Sequence, residues 1–196
     1  MKNLDDLLEF IKFTHEVRNV KRAILLETYK RQENDSEHMY QLALAAWFII
    51  ETNNLKLNKF KCVGMALLHD LAEGYAGDVS VHAPEAEIKA QLKREAAAIK
   101  RIKRQWPQFT SYAKLVDEYE EHITPEGKFV YALDKVLPVI NIYLYDGRSW
   151  DDQNVSFEAY TASKIGKADI DPTIAKYHTQ LQQILKNRPE LFGTKK

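Results

Sequence analysis

Four side chains able to do chemistry fall within ten residues of this chain: His69, Asp70, Glu73 and Asp78, in the stretch ALLHDLAEGYAGD. The segment just before them, Met65-Ala66-Leu67-Leu68, is apolar. Carboxylates at the end of a buried helix are expensive to desolvate unless something pairs them. Two residues of the same chemical kind lie on other apolar segments. His38 sits one turn inside SEHMYQLALAAW, and Asp134 lies in FVYALDKVLPV among Val130, Leu133 and Leu137. Neutral imidazole and carboxylate together suit a divalent transition metal. His38, His69, Asp70 and Asp134 would fill part of such an ion's sphere and leave one or two positions open. A catalytic metal needs that opening for water or substrate. Singly, each residue has a plainer reading. His38 alone reads as a satisfied buried histidine, and Asp134 alone as an acid paired with Lys135 or Lys128. Their combination on three apolar segments is what points to a metal.

These residues need helices to position them, and helical periodicity dominates the chain. LDDLLEFIKFTHEV places Leu4, Leu7, Leu8 and Ile11 on one stripe. NDSEHMYQLALAAWFIIE opens with Asp35 or Ser36 as N-cap and turns almost wholly apolar, so it is expected to be central. NKFKCVGMALLHDLAE reads as a third helix closing near Gly74. PEAEIKAQLKREAAAIKRIKRQW starts with Pro84 at the first helical position and is long and solvated. FTSYAKLVDEYEEH, PEGKFVYALDKVLPVINIYLYD, SFEAYTASKIGKA and DPTIAKYHTQLQQILKN complete the set. Pro138 has no N–H for the carbonyl of Asp134, which predicts a kink beside that acid. No strand pattern is found. The expectation is an all-α protein, a single helical domain over residues 1–196 with its motifs at about 13–146 and C-terminal helices at 155–190.

Bulk properties narrow the partners. Lysine plus arginine equals aspartate plus glutamate at 28 each, so no broad basic surface for a nucleic-acid polymer is expected. A small anionic ligand needs only a local basic cluster. Cys62 is the single cysteine, so no intramolecular disulfide can form. Acids run through MKNLDDLLEFIKF, unlike a signal peptide. LALAAWFII is too short to span a bilayer. A cytoplasmic protein without a membrane partner is expected.

The order His38, His69-Asp70, Asp134 resembles the metal-binding pattern of the HD-domain phosphohydrolase superfamily. SEHMYQLALAAW, MALLHDLAEGYAGD and YALDKV resemble more closely its YfbR-like 5'-deoxynucleotidase branch, which includes the HD domain-containing protein 2 group. The resemblance runs from about Phe13 to Asp146 and leaves the last fifty residues without a motif. It implies a compact HD-type helical bundle, often a homodimer. The implied reaction is release of phosphate from nucleoside or deoxynucleoside 5'-monophosphates by water activated on one divalent metal (Mn, Co, Fe, Ni or Zn). His38, His69, Asp70 and Asp134 would be the metal ligands. Glu73 and Asp78 would be the catalytic acids for water activation and proton transfer, and Arg22 in NVKRAILLE a phosphate contact. Residue chemistry agrees. Glu73 follows His69 by four positions and so shares its helix face, where the helix dipole disfavours an unpartnered acid. Arg22 offers phosphate a bidentate fork.

The chain departs from the family pattern in places. Ala23 stands where relatives often carry an aromatic near the sugar. VSVHAPEAEIKAQLKRE replaces the usual continuation after Gly77-Asp78; its His82 reads first as a loop histidine, and could also approach the site. Lys93 and Arg94 fall where the family has a Lys-Glu region. Tyr75, Trp47 and Tyr131 are aromatics that could stack a base, with core packing the first reading for Trp47 and Tyr131. The same quartet also serves other HD-type reactions (phosphodiesterase, triphosphohydrolase, oxygenase), or a non-catalytic metal-binding helical scaffold.

Overall fold

A computed structural model describes residues 4–26 and 31–193. Helix α1, Leu4–Asn19, buries Phe13 and Val17. Its stripe of Leu4, Leu7, Leu8 and Ile11 stays on the outside, 64%, 56%, 56% and 45% exposed. Periodicity found this helix, but its burial falls on the later turns.

Next comes a hairpin where no strand was expected. β1, Lys21–Leu26, pairs antiparallel with β2, Arg31–Asn34, with Leu25 opposite Gln32 and Leu26 opposite Arg31. The β2 sequence, RQEN, is four polar residues and carries no apolar alternation to read. Tertiary bonds hold the hairpin instead. Leu25 N donates to Ser149 Oγ at 2.8 Å, and Gln153 Nε2 donates to Ala23 O at 2.8 Å. Among the described residues this hairpin is the one departure from an all-α fold.

Helix α2, Asp35–Thr52, is capped by Asn34 rather than by Asp35 or Ser36. Glu37 N donates to Asn34 Oδ1 and Asn34 N donates to Glu37 Oε2, both at 3.1 Å, a reciprocal capping box. With Asn34 as cap, Asp35 is released to point inward and is fully buried.

Helix α3, Lys59–Leu68, stops earlier than expected. A 3-10 turn, His69–Ala72, and a short helix α4, Glu73–Ala76, follow it. The chain leaves helix at Gly77 (φ 73°), not at Gly74. Gly74 serves close packing instead. A Cβ there would lie 2.8 Å from Val17 Cγ2 and 2.9 Å from Phe13 Cε2. α4 can therefore press directly onto α1.

The remaining helices are α5, Glu85–Gln105; α6, Thr110–Glu121; α7, Pro125–Leu144; α8, Arg148–Asp152; α9, Phe157–Lys164; and α10, Pro172–Lys186. Pro84 is the residue before α5 rather than its first member. Three apolar clusters join these parts. Leu42, Ala46, Met65, Phe129 and Leu133 lock α2, α3 and α7 together. Phe13, Ile102, Trp106 and Tyr112 join α1, α5 and α6. Ile24, Val139, Trp150, Tyr160 and Leu185 dock the C-terminal helices onto β1 and α7. α7 is thus packed from several sides, and Asp134 lies at its middle. No helix among the described residues is long and apolar enough to cross a membrane.

Candidate metal centre

The capping box fixes the start of α2 and sets His38 one turn inside it, fully buried. His69 and Asp70 open the 3-10 turn at the end of α3. Asp134 comes from the buried middle of α7. The fold brings these four expected ligands together. His38 Nε2 lies 2.9 Å from Asp134 Oδ1 and 3.9 Å from Asp70 Oδ2. His69 Nε2 lies 3.1 Å from Asp70 Oδ2 and 3.4 Å from Asp134 Oδ1. One ligand atom from each of the four falls within 4.8 Å of all the others.

Neighbouring groups orient His69 and Asp134 as a metal site requires. His69 Nδ1 lies 3.0 Å from Ala66 O, so its N–H points to the carbonyl and Nε2 faces the centre. That Nε2 is buried without a hydrogen-bond partner. Tyr119 Oη donates to Asp134 Oδ2 at 2.7 Å and Lys135 Nζ lies 2.6 Å from the same oxygen, which leaves Oδ1 for the centre. Burial, helped by Arg22, pushes His38 down to about 4, so it is neutral and able to ligate. Burial opposes charge on His69, yet Asp70 and Asp134 lift it to about 10. Burial likewise opposes charge on Asp134, but Lys135, His38 and His69 outweigh it and hold the acid well below the carboxylate range. The field of this cluster calls for positive charge at its centre. A divalent cation meets that demand, and the donor set fits one.

Glu73 and Asp78 line a cavity of about 500 Å³ together with Asp70 and Asp134. Glu73 is buried, and its Oε2 has no hydrogen-bond partner. Burial, then Asp70 and Asp35, push its proton affinity far up. Asp78 follows the left-handed turn at Gly77, whose carbonyl accepts from Gln91 Nε2. Burial raises Asp78 as well. Arg22 reaches the same floor but is already engaged. Its Nη1 lies 2.8 Å from Asp70 Oδ2 and 3.3 Å from Asp35 Oδ1, and its Nε 3.4 Å from Glu33 Oε2.

Sequence reasoning missed Glu33, Asp35 and Tyr119. Glu33 and Asp35 are buried because the hairpin turns them inward, and the hairpin left no signal. Asp35, Asp70 and Glu73 form a second group with oxygens within 4.8 Å of one another, and Asp70 belongs to both groups.

Other expectations fare differently. Ala23 lines the cavity beside Arg22, and His82 also contributes to its wall. Lys93 and Arg94 do not line it. Arg94 instead donates to Ala76 O at 3.1 Å, bracing the segment before Asp78. Tyr75 packs on Phe13 and under Arg101, Trp47 against Phe60 and Lys59, and Tyr131 against His122. The aromatic that does line the cavity is Trp150. His178 is buried with its Nε2 2.9 Å from Tyr160 Oη.

A helical bundle that gathers two histidines and two aspartates beside an acid-floored cavity defines the class: an all-α protein with a candidate His–Asp metal site. The family follows from comparison with known proteins. The HD domain model matches residues 14–175, and the chain belongs to the HD-domain family. It is 33% identical over 145 residues to the 5'-deoxynucleotidase HDDC2 of Xenopus laevis, covering 71% of this chain and 69% of that one. It is 30% identical over 185 residues to the 5'-deoxynucleotidase HDDC2 of Mus musculus, covering 89% and 87%. Among solved structures, the "Predicted metal-dependent phosphohydrolase" of Magnetospirillum magnetotacticum superposes with a TM-score of 0.82 at 24% identity, covering 97% and 96%. The latter similarity is one of fold.

Proposed function

We propose that this chain is a divalent-metal-dependent phosphomonoesterase, a 5'-nucleotidase that releases phosphate from nucleoside and deoxynucleoside 5'-monophosphates. The observation that carries this reading is the convergence of His38, His69, Asp70 and Asp134 within 4.8 Å, beside a cavity floored by Glu73, Asp78 and Arg22. The curated relatives named 5'-deoxynucleotidases support it. His38, His69, Asp70 and Asp134 would hold one transition ion (Mn, Co, Fe, Ni or Zn), which would supply Lewis acidity and a water acidified toward ~7.

The chain's own groups do the rest. Arg22 Nη1 leaves Asp70 Oδ2 for the phosphate oxygens and clamps them by charge-assisted hydrogen bonds. Glu73, in the cavity wall beside Asp70, takes the proton of the attacking water. Asp78 passes a proton to the departing 5'-oxygen. Ile24, Val139 and Trp150 form an apolar wall for sugar and base.

The test is phosphate release from a panel of nucleotides with each divalent metal. Activity that survives both chelation and Asp70→Ala sinks the reading. The group of Asp35, Asp70 and Glu73 favours one second reading, a bridged ion pair running a different HD-type reaction such as phosphodiester cleavage. Metal content by elemental analysis separates the two, at one ion or two per chain.

Residues 1–196 act as one HD domain in this reading, because the C-terminal helices supply Trp150, Lys164 and Lys167 to the cavity wall. The protein is a cytoplasmic homodimer. The exposed α1 stripe of Leu4, Leu7, Leu8 and Ile11, and Tyr40, Leu44 and Phe48 on α2, supply apolar surface for a second copy. A monomeric mass by light scattering at working concentration refutes the dimer. Cys62, buried and raised to about 12 by burial, offers no reactive thiol.

A further inference from the structure

The cations around the cavity are not equally matched. Arg22 faces three carboxylates, and Lys135 Nζ is 2.6 Å from Asp134 Oδ2. Lys164, the last residue of α9, and Lys167, in the turn after it, also line the cavity and are half-buried. Among the described residues, neither ammonium group has an ion-pair or hydrogen-bond partner. Burial pushes Lys164 down to about 8; the charges of Lys135, Lys167 and Arg22 push the same way, and Asp134 opposes them. Burial and Lys135 lower Lys167 also. Two half-buried ammonium groups that repel each other, with no carboxylate among the described residues within ion-pair distance, are unfavourable unless a ligand brings negative charge.

That ligand is more than the scissile phosphate. The metal ligands and Arg22 already provide for the reacting group, and they come from β1, α2, the 3-10 turn and α7. Lys164 and Lys167 come from a separate part of the chain that gives the metal centre nothing. The same cavity carries the apolar wall of Ile24, Val139 and Trp150. Paired ammonium groups act as point charges and suit a second phosphate on the same molecule.

We propose that Lys164 and Lys167 form a second anion subsite in this cavity, and that it takes the sugar phosphate of a nucleoside bisphosphate. The proposal rests on the phosphomonoesterase reading above. Water attacks the 5'-phosphorus, the bond from phosphorus to the 5'-oxygen breaks, and that oxygen takes a proton. The products are inorganic phosphate and a nucleoside that keeps its sugar phosphate.

The experiment compares kcat/KM for adenosine 3',5'-bisphosphate and adenosine 5'-monophosphate, using the metal-loaded full chain. The wild type is expected to favour the bisphosphate by about tenfold or more, the worth of one charge-assisted hydrogen bond. The double variant Lys164→Gln/Lys167→Gln is expected to lose that ratio, and Lys164→Arg/Lys167→Arg to keep it. A wild-type ratio near unity overturns the proposal. Equal losses for both substrates in the glutamine variant also overturn it, because the lysines then serve the scissile phosphate. Calorimetric binding of adenosine 3'-monophosphate, which has no 5'-phosphate, reads the subsite without turnover. Binding in the wild type that weakens about tenfold in the glutamine variant supports the subsite even if neither substrate is hydrolysed, the outcome that defeats the nucleotidase reading. Wild-type affinity no greater than for adenosine itself overturns it.

Discussion

The hydroxyl of Tyr119 donates to Asp134 Oδ2 at 2.7 Å, from a helix that gives the metal centre no ligand. The bond turns the other carboxylate oxygen toward His38 and His69. Tyr119→Phe keeps the ring against His69 and Tyr131, 5.0 and 5.9 Å away by centroid, so the fold should survive. Metal affinity should fall by about 10- to 100-fold, the usual cost of losing an outer-shell partner. Metal titration by calorimetry checks this, and an unchanged affinity would show that Lys135 alone orients the acid.

Arg22 carries a structural load beside the phosphate contact proposed for it. Arg22→Lys keeps the charge but loses the planar fork, so KM for a 5'-monophosphate should rise by about tenfold, one charge-assisted bond's worth. Arg22→Ala leaves Glu33 and Asp35 buried without their cation. It should destabilise the protein by about 3–5 kcal/mol, visible as a lowered urea midpoint.

Ala23 leaves the cavity open beside Arg22. An open apolar pocket rejects an added hydroxyl weakly, by at most about 100-fold. Ribo- and deoxyribonucleoside monophosphates should therefore differ little in kcat/KM in the wild type. Ala23→Trp fills that space and should shift the ratio toward the deoxy substrate. A ratio unmoved by the tryptophan would place the sugar elsewhere.

The lowered proton affinity of Lys164 gives two pH effects of opposite sign. The groups that act on it besides burial are Lys135, Lys167, Arg22 and Asp134. A lysine that gives up its proton more readily folded than unfolded lowers stability while both states are charged. That penalty is relieved as pH rises from about 8 into the ordinary lysine range. Lys164→Met should thus stabilise the protein at pH 7, with a gain that shrinks by about pH 10.4, the free lysine value. Urea midpoints across pH measure it. Conversely, the bisphosphate-to-monophosphate ratio of kcat/KM should fall as pH passes about 8.

The four candidate ligands were legible because each is a polar residue stranded on an apolar helix, where a buried site advertises itself. His38 and Asp134 needed only their neighbours to be noticed. Glu33 and Asp35 were not legible. Their inward turn depends on a hairpin held by Ser149 and Gln153, more than a hundred positions away in the chain. Trp150, Lys164 and Lys167 left no local signal either, since only the packing around Leu185 and Val139 delivers them to the cavity. The α1 stripe shows the reverse case. Leu4, Leu7, Leu8 and Ile11 have a regular apolar spacing, yet the bundle leaves them outside.

The candidate ligands all lie between His38 and Asp134, whereas Trp150, Lys164 and Lys167 come later in the chain. Synthesis runs from the N-terminus, and early segments can fold before later ones emerge. A chain still leaving the ribosome therefore owns a complete set of metal donors before it owns the far wall of its pocket. Capturing an ion precedes, in the order of birth, closing the pocket around a nucleotide.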